Sequence, residues 1–211
     1  MRLILRCLPL LLMGFACTAA EPPVADNLEA GKHFRAVSPP QPTTDPDKIE
    51  VAEVFWYGCP HCFSFEPAVE RWRKNDKPDD VIFVKLPATL NKRWRLHARA
   101  FYTAEVLGIL DRFHPAMFRA MHEQNRPLNT EAKLAEFFAQ FGIEKKTFES
   151  TFYSFPVESK LDRADRLLRG YKITSVPTVI VNGKYWTNGT LAKSQGGVFK
   201  VVDQLIERER R

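Results

Sequence analysis

Two cysteines, Cys59 and Cys62, are spaced Cys-x-x-Cys directly after an aromatic run, Phe55 to Tyr57, that is typical of a buried strand. A structural zinc site needs four ligands, which usually come from two such pairs. The other two cysteines, Cys7 and Cys17, lie in the N-terminal leader and form no second pair. We therefore interpret Cys59 and Cys62 as a redox pair that holds no metal. The chemistry that the motif predicts is dithiol–disulfide exchange.

The residues between the two cysteines favour a reactive thiolate at Cys59. Pro60 fits the first turn of a helix, where its missing N–H removes no hydrogen bond, so Cys59 is expected at the helix N-terminus. Unpaired amides and the positive end of the helix dipole lower the pKa of a cysteine there, and a protonated His61 ring adds to the effect. Stabilising the thiolate makes the disulfide a stronger oxidant. Cys62, one helical turn later, is expected to be buried and to attack a mixed disulfide between Cys59 and a substrate.

A structural disulfide is the competing interpretation of the same two cysteines. It would strain a very short loop, and it would not require the strand-to-helix placement that the neighbouring residues predict. A second feature is Ser175-Val176-Pro177-Thr178, which taken alone also fits an ordinary proline at the start of a strand. A proline that enters a strand cannot donate to the ladder, and a cis peptide at Val176–Pro177 would provide the special backbone it needs.

The flanking residues predict a βαβ unit that positions the cysteines. A largely buried strand is expected from Ile49 to Trp56, and an apolar stripe at Phe65, Val69 and Trp72 predicts the following helix. A short apolar run from Val81 to Val84 predicts the second strand. The cysteines then lie at the carboxyl end of the first strand, where open α/β sheets place their active sites.

The rest of the chain predicts a helical insertion and a closing hairpin. Residues 91–170 have helical periodicity throughout, and a helical block of about eighty residues between strands indicates an inserted subdomain. A strand is expected from Ile173 to Val181. Asn182-Gly183 predicts a type I′ turn into a strand over Lys184 to Thr187. A last helix is expected from Leu191 to Glu209.

Residues 1–20 are typical of a secretory signal peptide. They combine two arginines near the start, an apolar stretch from Leu8 to Ala16 and small residues suited to cleavage before Glu21. That stretch is too short to span a bilayer. Lipid attachment at Cys17 is the competing hypothesis, because the residues before it vaguely resemble a lipoprotein processing site. Either outcome places the protein in an oxidising, exported compartment.

Charge and composition indicate an ordinary globular domain and argue against nucleic-acid binding. The net charge of +6 includes Arg2 and Arg6, so the exported chain carries +4. Lys and Arg are dispersed among acidic residues, as in residues 163–166, and form no cationic block. The 45% of hydrophobic residues is ample for a core in about 190 residues, a length that suits one domain with an insertion.

Together these motifs resemble the DsbA family of periplasmic thiol:disulfide oxidoreductases. The resemblance rests on Cys-Pro-His-Cys after an aromatic strand, a helical block, then Val-Pro-Thr and an Asn-Gly hairpin. It implies an α/β fold, a thioredoxin fold with an inserted all-helical subdomain. Residues 21–90 and 171–211 would form the thioredoxin-like domain and residues 91–170 the helical domain. The resemblance also implies a cysteine with a depressed pKa.

The resemblance also implies roles for individual residues. Cys59 would be the surface nucleophile and Cys62 the resolving cysteine, tuned by Pro60 and His61. The loop that contains Val176 and Pro177 would offer backbone hydrogen bonds to an extended substrate. A buried acid beneath the active site would assist proton transfer, with two charged neighbours. The loop residues are Val176 and Pro177, the acid is Glu53, and its neighbours are Glu66 and Lys85.

Several of these assignments have plain structural alternatives. Glu50 and Glu53 could both point to solvent on an edge strand, Glu66 could be ordinary helix surface, and Lys85 could simply end its strand. Gly58 departs from the family pattern, which has an aromatic residue before the first cysteine, and should open the surface beside the nucleophile. The remaining histidines lack the spacing of metal ligands and are expected to be surface or packing residues: His33, His97, His114 and His122.

The function implied is that of an exported oxidase that introduces disulfides into newly translocated, unfolded polypeptides with free thiols. A DsbB-like, quinone-linked partner in the inner membrane would reoxidise it, and no bound cofactor is required beyond the Cys59–Cys62 disulfide. We expect a periplasmic monomer. Two alternatives remain: a disulfide isomerase or reductase, and a non-catalytic peptide-binding chaperone. The resemblance disfavours an isomerase, whose relatives usually have a dimerisation domain or a threonine in place of Val176.

Overall fold

The structure is a computed structural model that describes residues 27–211. The predicted signal peptide over residues 1–20, its cleavage site and the alternative lipid anchor at Cys17 lie outside this range. Within the range, no helix is both long and apolar enough to cross a membrane.

A five-stranded mixed sheet forms the centre of the fold, with strand order β1-β5-β4-β2-β3. β2 and β3 pair in parallel, and the other neighbours pair antiparallel. The predicted βαβ unit is therefore confirmed, and its first strand lies inside the sheet instead of at an edge. The strands are β1 (Arg35–Ala36), β2 (Ile49–Phe55), β3 (Val81–Pro87), β4 (Thr178–Val181) and β5 (Tyr185–Thr187).

Seven α-helices accompany the sheet in the described part of the chain. α1 leads from β2 towards β3 and continues into a π-helical segment, Trp72–Asp76. The predicted helical block between β3 and β4 is confirmed as five helices, α2 to α6, and α7 closes the chain. The helices are α1 (Pro60–Arg71), α2 (Lys92–Val106), α3 (Leu110–His122), α4 (Glu131–Ala139), α5 (Lys145–Phe152), α6 (Phe155–Gly170) and α7 (Val198–Glu209).

The sheet separates two apolar cores, which explains why β2 is buried on both faces. Val51 packs in the smaller core with α1 and α7, where Phe65 and Phe199 stack with ring centroids 5.5 Å apart. Ala52 and Val54 belong to the larger core, which the helical block α2–α6 completes. Burial on both sides favours a near-continuous apolar strand, as in parallel sheets. The carboxyl end of β2 is thus held rigidly where the cysteines follow.

Two predicted boundaries are wrong, and both errors lie beside the cysteines. The strand expected from Ile173 begins only at Thr178, because Pro177 has no N–H to donate to a ladder. The last helix begins at Val198 instead of Leu191. Residues 188–197 form turns, in which Lys193 adopts a φ of 62° that a helix cannot accommodate. Both segments are loops that border the candidate site.

The predicted hairpin between β4 and β5 is confirmed. Asn182 and Gly183 both have positive φ, 50° and 64°, as a type I′ turn requires. The Gly183 carbonyl accepts a hydrogen bond from the Gln41 amide at 2.9 Å. A Cβ at Gly183 would lie 2.0 Å from the Gln41 carbonyl oxygen, so only glycine allows this approach. The proline-rich segment before β2 is anchored to the hairpin in this way.

Candidate active site

Cys59 is the N-cap residue of α1. β2 ends at Phe55, and the chain turns through Trp56–Gly58, closed by a hydrogen bond from the Cys59 amide to the Trp56 carbonyl at 3.0 Å. Cys59 keeps an extended backbone (φ −92°, ψ 114°), while Pro60 begins the helix. The Cys59 Sγ accepts a hydrogen bond from the Cys62 amide at 3.3 Å. The sulfur thus takes the place of the oxygen of an ordinary N-cap side chain.

The two thiols differ sharply in their acidity. Hydrogen bonds from the Cys62 thiol and from the amides of Cys62 and His61 lower the pKa of Cys59 to about 6, although partial burial opposes them. Burial raises the pKa of Cys62, which is fully inaccessible, and the neighbouring Cys59 adds to the effect. Cys59 is 8% exposed and its thiol is free. One thiol is therefore ionised near neutral pH, and its neighbour remains protonated.

The loop before β4 faces the nucleophile. The Val176–Pro177 peptide is cis, as predicted, and the Cys59 thiol lies 3.7 Å from the Val176 carbonyl oxygen. A cavity of ≈ 410 Å³ extends from this loop along residues 188–195 to His61. Gln195 borders it and donates a hydrogen bond to the His61 carbonyl at 3.0 Å. A backbone edge and an open cavity thus flank the reactive sulfur.

Glu53 lies in the interior at the centre of β2 and is 0% exposed. The parallel register places it opposite Lys85 of β3, whose Nζ lies 2.8 Å from Glu53 Oε2. The same ammonium contacts Glu66 of α1 at 2.9 Å and 3.2 Å. The three predicted residues are therefore brought together, and their surface alternatives are wrong. Glu50 is buried as well and accepts a hydrogen bond from the Thr44 amide at 2.7 Å.

The ion-pair cluster has unusual protonation equilibria. Burial raises the pKa of both Glu53 and Glu66, and the attraction of Lys85 only partly offsets it. Burial alone would lower the pKa of Lys85, but the two carboxylates raise it above its ordinary value. Two acids share one ammonium in a setting that disfavours net charge. The cluster is therefore suited to storing a proton beneath the cysteines.

Three histidines of the helical block contact the turn that precedes Cys59, and the sequence analysis did not assign them to the site. His97 Nδ1 accepts from the Trp56 indole at 3.0 Å. His114 Nδ1 lies 2.9 Å from the Tyr57 hydroxyl, and His122 Nε2 lies 2.7 Å from the Tyr57 carbonyl oxygen. His33, by contrast, lies outside the site, where its Nδ1 accepts from the Glu29 amide.

A sequence signal for two of these histidines existed. His114, Phe118 and His122 follow an i, i+4, i+8 spacing, which places them on one face of a helix. Phe118 is buried, so this face of α3 is its core-facing side. A histidine on such a face must find hydrogen-bond partners inside the protein. Which partners it finds depends on tertiary contacts that no local pattern specifies.

The expectation that Gly58 opens the surface is wrong. A Cβ at Gly58 would lie 2.3 Å from Cζ2 of the Trp56 indole, so the ring fills the space beside the glycine. The indole is stacked on Trp94 of α2 with centroids 4.5 Å apart and an interplanar angle of 10°. The aromatic group beside the nucleophile is thus supplied two residues earlier in the chain.

Across residues 27–211, no cluster of three or more His, Cys, Asp or Glu side chains has a geometry that could hold a metal ion.

Comparison with known proteins agrees with this geometry. Residues 50–193 match the family described as DSBA-like thioredoxin domain. The thiol:disulfide interchange protein DsbA of Pseudomonas aeruginosa is 41% identical over 186 residues, which cover 88% of this chain and 88% of the relative. The protein of the same name from Pseudomonas syringae pv. tomato is 39% identical over 199 residues, covering 94% and 90%.

Solved structures give the same assignment. The crystal structure of Pseudomonas aeruginosa DsbA matches with a TM-score of 0.82 and 41% identity over 88% of this chain and 96% of that chain. The oxidoreductase DsbA from Xylella fastidiosa matches with a TM-score of 0.81 and 32% identity over 87% and 98%. The predicted thioredoxin fold with a helical insertion is confirmed. This chain therefore belongs to the DSBA-like thioredoxin domain family, and it is a protein thiol:disulfide oxidoreductase.

Proposed function

We propose that this protein is an exported dithiol oxidase that transfers the Cys59–Cys62 disulfide to unfolded, newly translocated polypeptides with free thiols. The observation that carries the proposal is the contrast between the two sulfurs. Cys59 accepts an amide hydrogen bond at the start of α1 and has a pKa of about 6, whereas Cys62 is fully buried. A stabilised thiolate is a good leaving group and shifts the equilibrium towards the reduced enzyme.

The reaction proceeds in two thiol–disulfide exchanges. A client thiolate attacks Cys59 Sγ, the Cys59–Cys62 bond breaks, and the electron pair of that bond leaves on Cys62. A second client thiolate then attacks the client sulfur of the mixed disulfide, so a client disulfide forms and Cys59 leaves as a thiolate. Two electrons pass from the client to the enzyme. Attack by Cys62 on Cys59, which the sequence analysis expected, returns the client as a thiol and is the reverse of the first step.

Glu53 is proposed to protonate Cys62 when that sulfur leaves. The Cys62 thiolate would be a buried charge, and the Glu53 carboxylate already raises the pKa of Cys62 electrostatically. A protonated Glu53 can pass its proton to Cys62 Sγ, which leaves the negative charge beside Lys85. The charge thereby moves from an apolar pocket to an ion pair. Glu66 and Lys85 support this step.

The client is proposed to bind along the Val176–Pro177 loop. The Val176 carbonyl faces Cys59, and the backbone here lies outside the β4 ladder, which begins at Thr178. An extended peptide can therefore pair with free backbone groups of the loop. Pro60 and His61 follow the nucleophile at the start of α1, where the His61 amide lowers the pKa of Cys59.

The chain would act in the periplasm as a monomer, and a DsbB-like quinone-linked partner in the inner membrane would restore its disulfide. It would need no cofactor other than its own cysteines. Removal of residues 1–20 by signal cleavage, or lipid attachment at Cys17, would decide whether it is free or anchored.

The decisive experiment measures the Cys59–Cys62 redox equilibrium against glutathione and the oxidation of a fluorescent peptide that carries two cysteines. We expect a disulfide more oxidising than the glutathione couple and stoichiometric peptide oxidation, both abolished in Cys59→Ser. A strongly reducing equilibrium would refute the oxidase. Preferential insulin reduction together with a dimeric mass would favour the isomerase or reductase. Retention of in vivo activity by Cys59→Ser would favour the chaperone.

A further inference from the structure

The donors and acceptors around His114 form one continuous chain. His114 Nδ1 lies 2.9 Å from the Tyr57 hydroxyl, and His114 Nε2 lies 3.1 Å from Glu66 Oε1. Lys85 Nζ donates to both oxygens of Glu66, which favours the ionised carboxylate. Because a carboxylate can only accept, Nε2 donates to Glu66 and Nδ1 accepts from Tyr57. The tautomer of a neutral imidazole is thereby fixed. Burial also lowers the pKa of His114, which keeps the ring neutral.

Glu66 and Glu53 differ in how well their negative charge is supported. Glu66 receives Lys85 on both oxygens and the His114 N–H on one, and it is partly exposed. Within residues 27–211, Glu53 receives a hydrogen bond only from Lys85, on Oε2. Its other oxygen, Oε1, is buried and has no hydrogen-bond partner in the described part of the chain. Each donor to a carboxylate favours its ionised form, so Glu66 is the stronger acid of the pair.

The number of charges decides where a proton is held. When both carboxylates are ionised, Lys85 neutralises only one of them. The cluster then has one uncompensated negative charge in the protein interior, which is unfavourable. With one carboxyl protonated, the cluster is neutral. The proton belongs on the acid with fewer donors, and the unpartnered Oε1 of Glu53 is the free position for it. The two acids titrate as a coupled pair, and the donors decide which one holds the proton.

We infer that His114 is a positioning residue for the disulfide-exchange reaction, because its N–H keeps Glu66 ionised and thereby leaves the shared proton on Glu53. This inference rests on the proposed function, in which Glu53 protonates the leaving Cys62. It adds a residue of α3 that touches neither cysteine. His114 acts through Glu66, and the helical block thus takes part in the chemistry through the orientation of one imidazole.

The proton balance of the step is closed. Glu53 releases one proton and Cys62 Sγ takes one up as the disulfide bond breaks, so the cluster gains one negative charge. Water in the adjoining cavity of ≈ 630 Å³, which Glu66, Lys85 and His114 line, then returns one proton to Glu53 through the cluster. That proton replaces the one the client thiol gave to solvent when it became a thiolate. No oxidant other than the enzyme disulfide is involved.

Other charged groups face the same cavity and contribute to its pH dependence. Coulombic interactions of Glu66 with Glu70 and Arg73 have opposite signs, and those two side chains form their own ion pair at 2.8 Å. Their effects on the pKa of Glu66 therefore oppose each other, and they do not by themselves decide whether Glu66 or Glu53 holds the proton. The facing groups are Glu70 of α1, Arg73 and Lys74 of the π-helical segment, Lys85 of β3, Glu105 of α2 and Asp111 of α3.

The test follows the carboxyl carbons of Glu53 and Glu66 by NMR titration of the reduced full chain labelled with ¹³C-glutamate. In the wild type we expect Glu66 to ionise at lower pH than Glu53. In His114→Leu the difference between the ionisation midpoints of Glu66 and Glu53 should disappear or change sign. In His114→Gln, whose amide can donate from about the place of Nε2, the wild-type order should be kept. A wild type in which Glu53 ionises first would overturn the inference.

Kinetics give an independent measurement. The rate of peptide oxidation should fall at high pH as Glu53 loses its proton. In His114→Leu the share of the proton held by Glu53 should fall, so most of the loss of rate should move to the lower of the two ionisations of the pair and its midpoint to lower pH. His33→Gln, remote from the site, should leave the profile in place. An unchanged midpoint in a folded His114→Leu would overturn the inference.

Two further outcomes keep the test decisive. Should His114→Leu fail to fold, Glu66→Gln removes the competing acid directly. Glu53 then becomes the sole carboxylate partner of Lys85, and the midpoint must also move to lower pH. An unmoved midpoint in Glu66→Gln counts against the inference. If the wild type oxidises no peptide at any pH, the proposed oxidase is refuted. The order in which Glu66 and Glu53 ionise in the NMR titration would still test the role of His114.

Discussion

The indole of Trp56 fills the space that a side chain at Gly58 would occupy, with Cζ2 only 2.3 Å from the position of a Cβ. The ring cannot easily move away, because it is stacked on Trp94 and donates to His97. The Trp56 carbonyl also accepts from the Cys59 amide, so this residue closes the turn that presents the nucleophile. The glycine is therefore a packing requirement of the turn.

We expect Gly58→Ala to destabilise the protein by about 1–3 kcal/mol, as is usual for overpacking in a tight site. In a Trp56→Leu background the same substitution should cost less, since the clashing ring is gone. Urea unfolding of the four proteins forms a double-mutant cycle. Additive effects of the two substitutions would show that the Trp56 ring does not restrict Gly58.

Ionisation of Cys59 should make the stability of the reduced protein pH-dependent. Its pKa is lowered from 9.0 to about 6, so the folded state gains stability that is complete above pH 9 and is lost as pH falls through 6. At 1.36 kcal/mol for each unit, the gain over Cys59→Ser is about 2–4 kcal/mol at high pH, discounted for partial solvent screening.

Two measurements check this expectation. Thiolate absorbance near 240 nm should titrate with a midpoint near pH 6 in the wild type and lose that transition in Cys59→Ser. Urea unfolding of the reduced proteins should show the stability difference growing between pH 6 and pH 9. A midpoint near 9 would mean that the start of α1 does not stabilise the sulfur anion.

Gln195 should affect client binding more than chemistry. Its side chain fixes residues 188–197 to the His61 carbonyl and borders the cavity beside Pro177. Gln195→Ala should raise KM for the two-cysteine peptide by about 3- to 10-fold, the equivalent of one net hydrogen bond, and leave kcat nearly unchanged. Asn129→Ala, in the helical block away from this cavity, is the control. An equal loss in kcat would assign Gln195 a part in the chemical step.

Local chemistry explains which parts of the molecule could be predicted. The positions of Cys59, Pro60 and the Asn182–Gly183 turn depend on backbone preferences within a few residues, and these were correct. The burial of Glu53 and its charged neighbour Lys85 were implied by the family resemblance, and strand register explains their contact. The domain boundaries at residues 90 and 170 remain a prediction.

The parts that could not be predicted depend on contacts distant in sequence. The hydrogen bonds between His97 and Trp56 and between His114 and Glu66 form only when the helical block packs against the rest of the fold. The Trp56 ring takes the space beside Gly58 because Trp94 stacks on it. Short-range periodicity places each of these residues on a face of its element, but it does not specify the partner across the core.

Glu53 should lower the stability of the folded protein at high pH while it supports the reaction. Burial raises its pKa above the ordinary 4.5, so the folded state prefers the protonated acid, and its stabilising contribution, present below pH 4.5, is lost as pH rises through the raised value. Glu53→Gln keeps the shape and removes this ionisation. The variant should therefore gain stability relative to the wild type as pH increases, while Lys85 keeps Glu66 as its partner.

The same substitution removes the proton donor for Cys62, and peptide oxidation should slow by about 10²-fold, within the usual range for loss of a general acid. Glu136→Gln is the matched control, because Glu136 has an exposed side chain on α4, outside the cavity that Glu66, Lys85 and His114 line. Urea unfolding at pH 5 and pH 9, and stopped-flow peptide oxidation at pH 7, measure the two effects. A faster or equally fast Glu53→Gln would mean that solvent, reaching Cys62 by another route, supplies the proton.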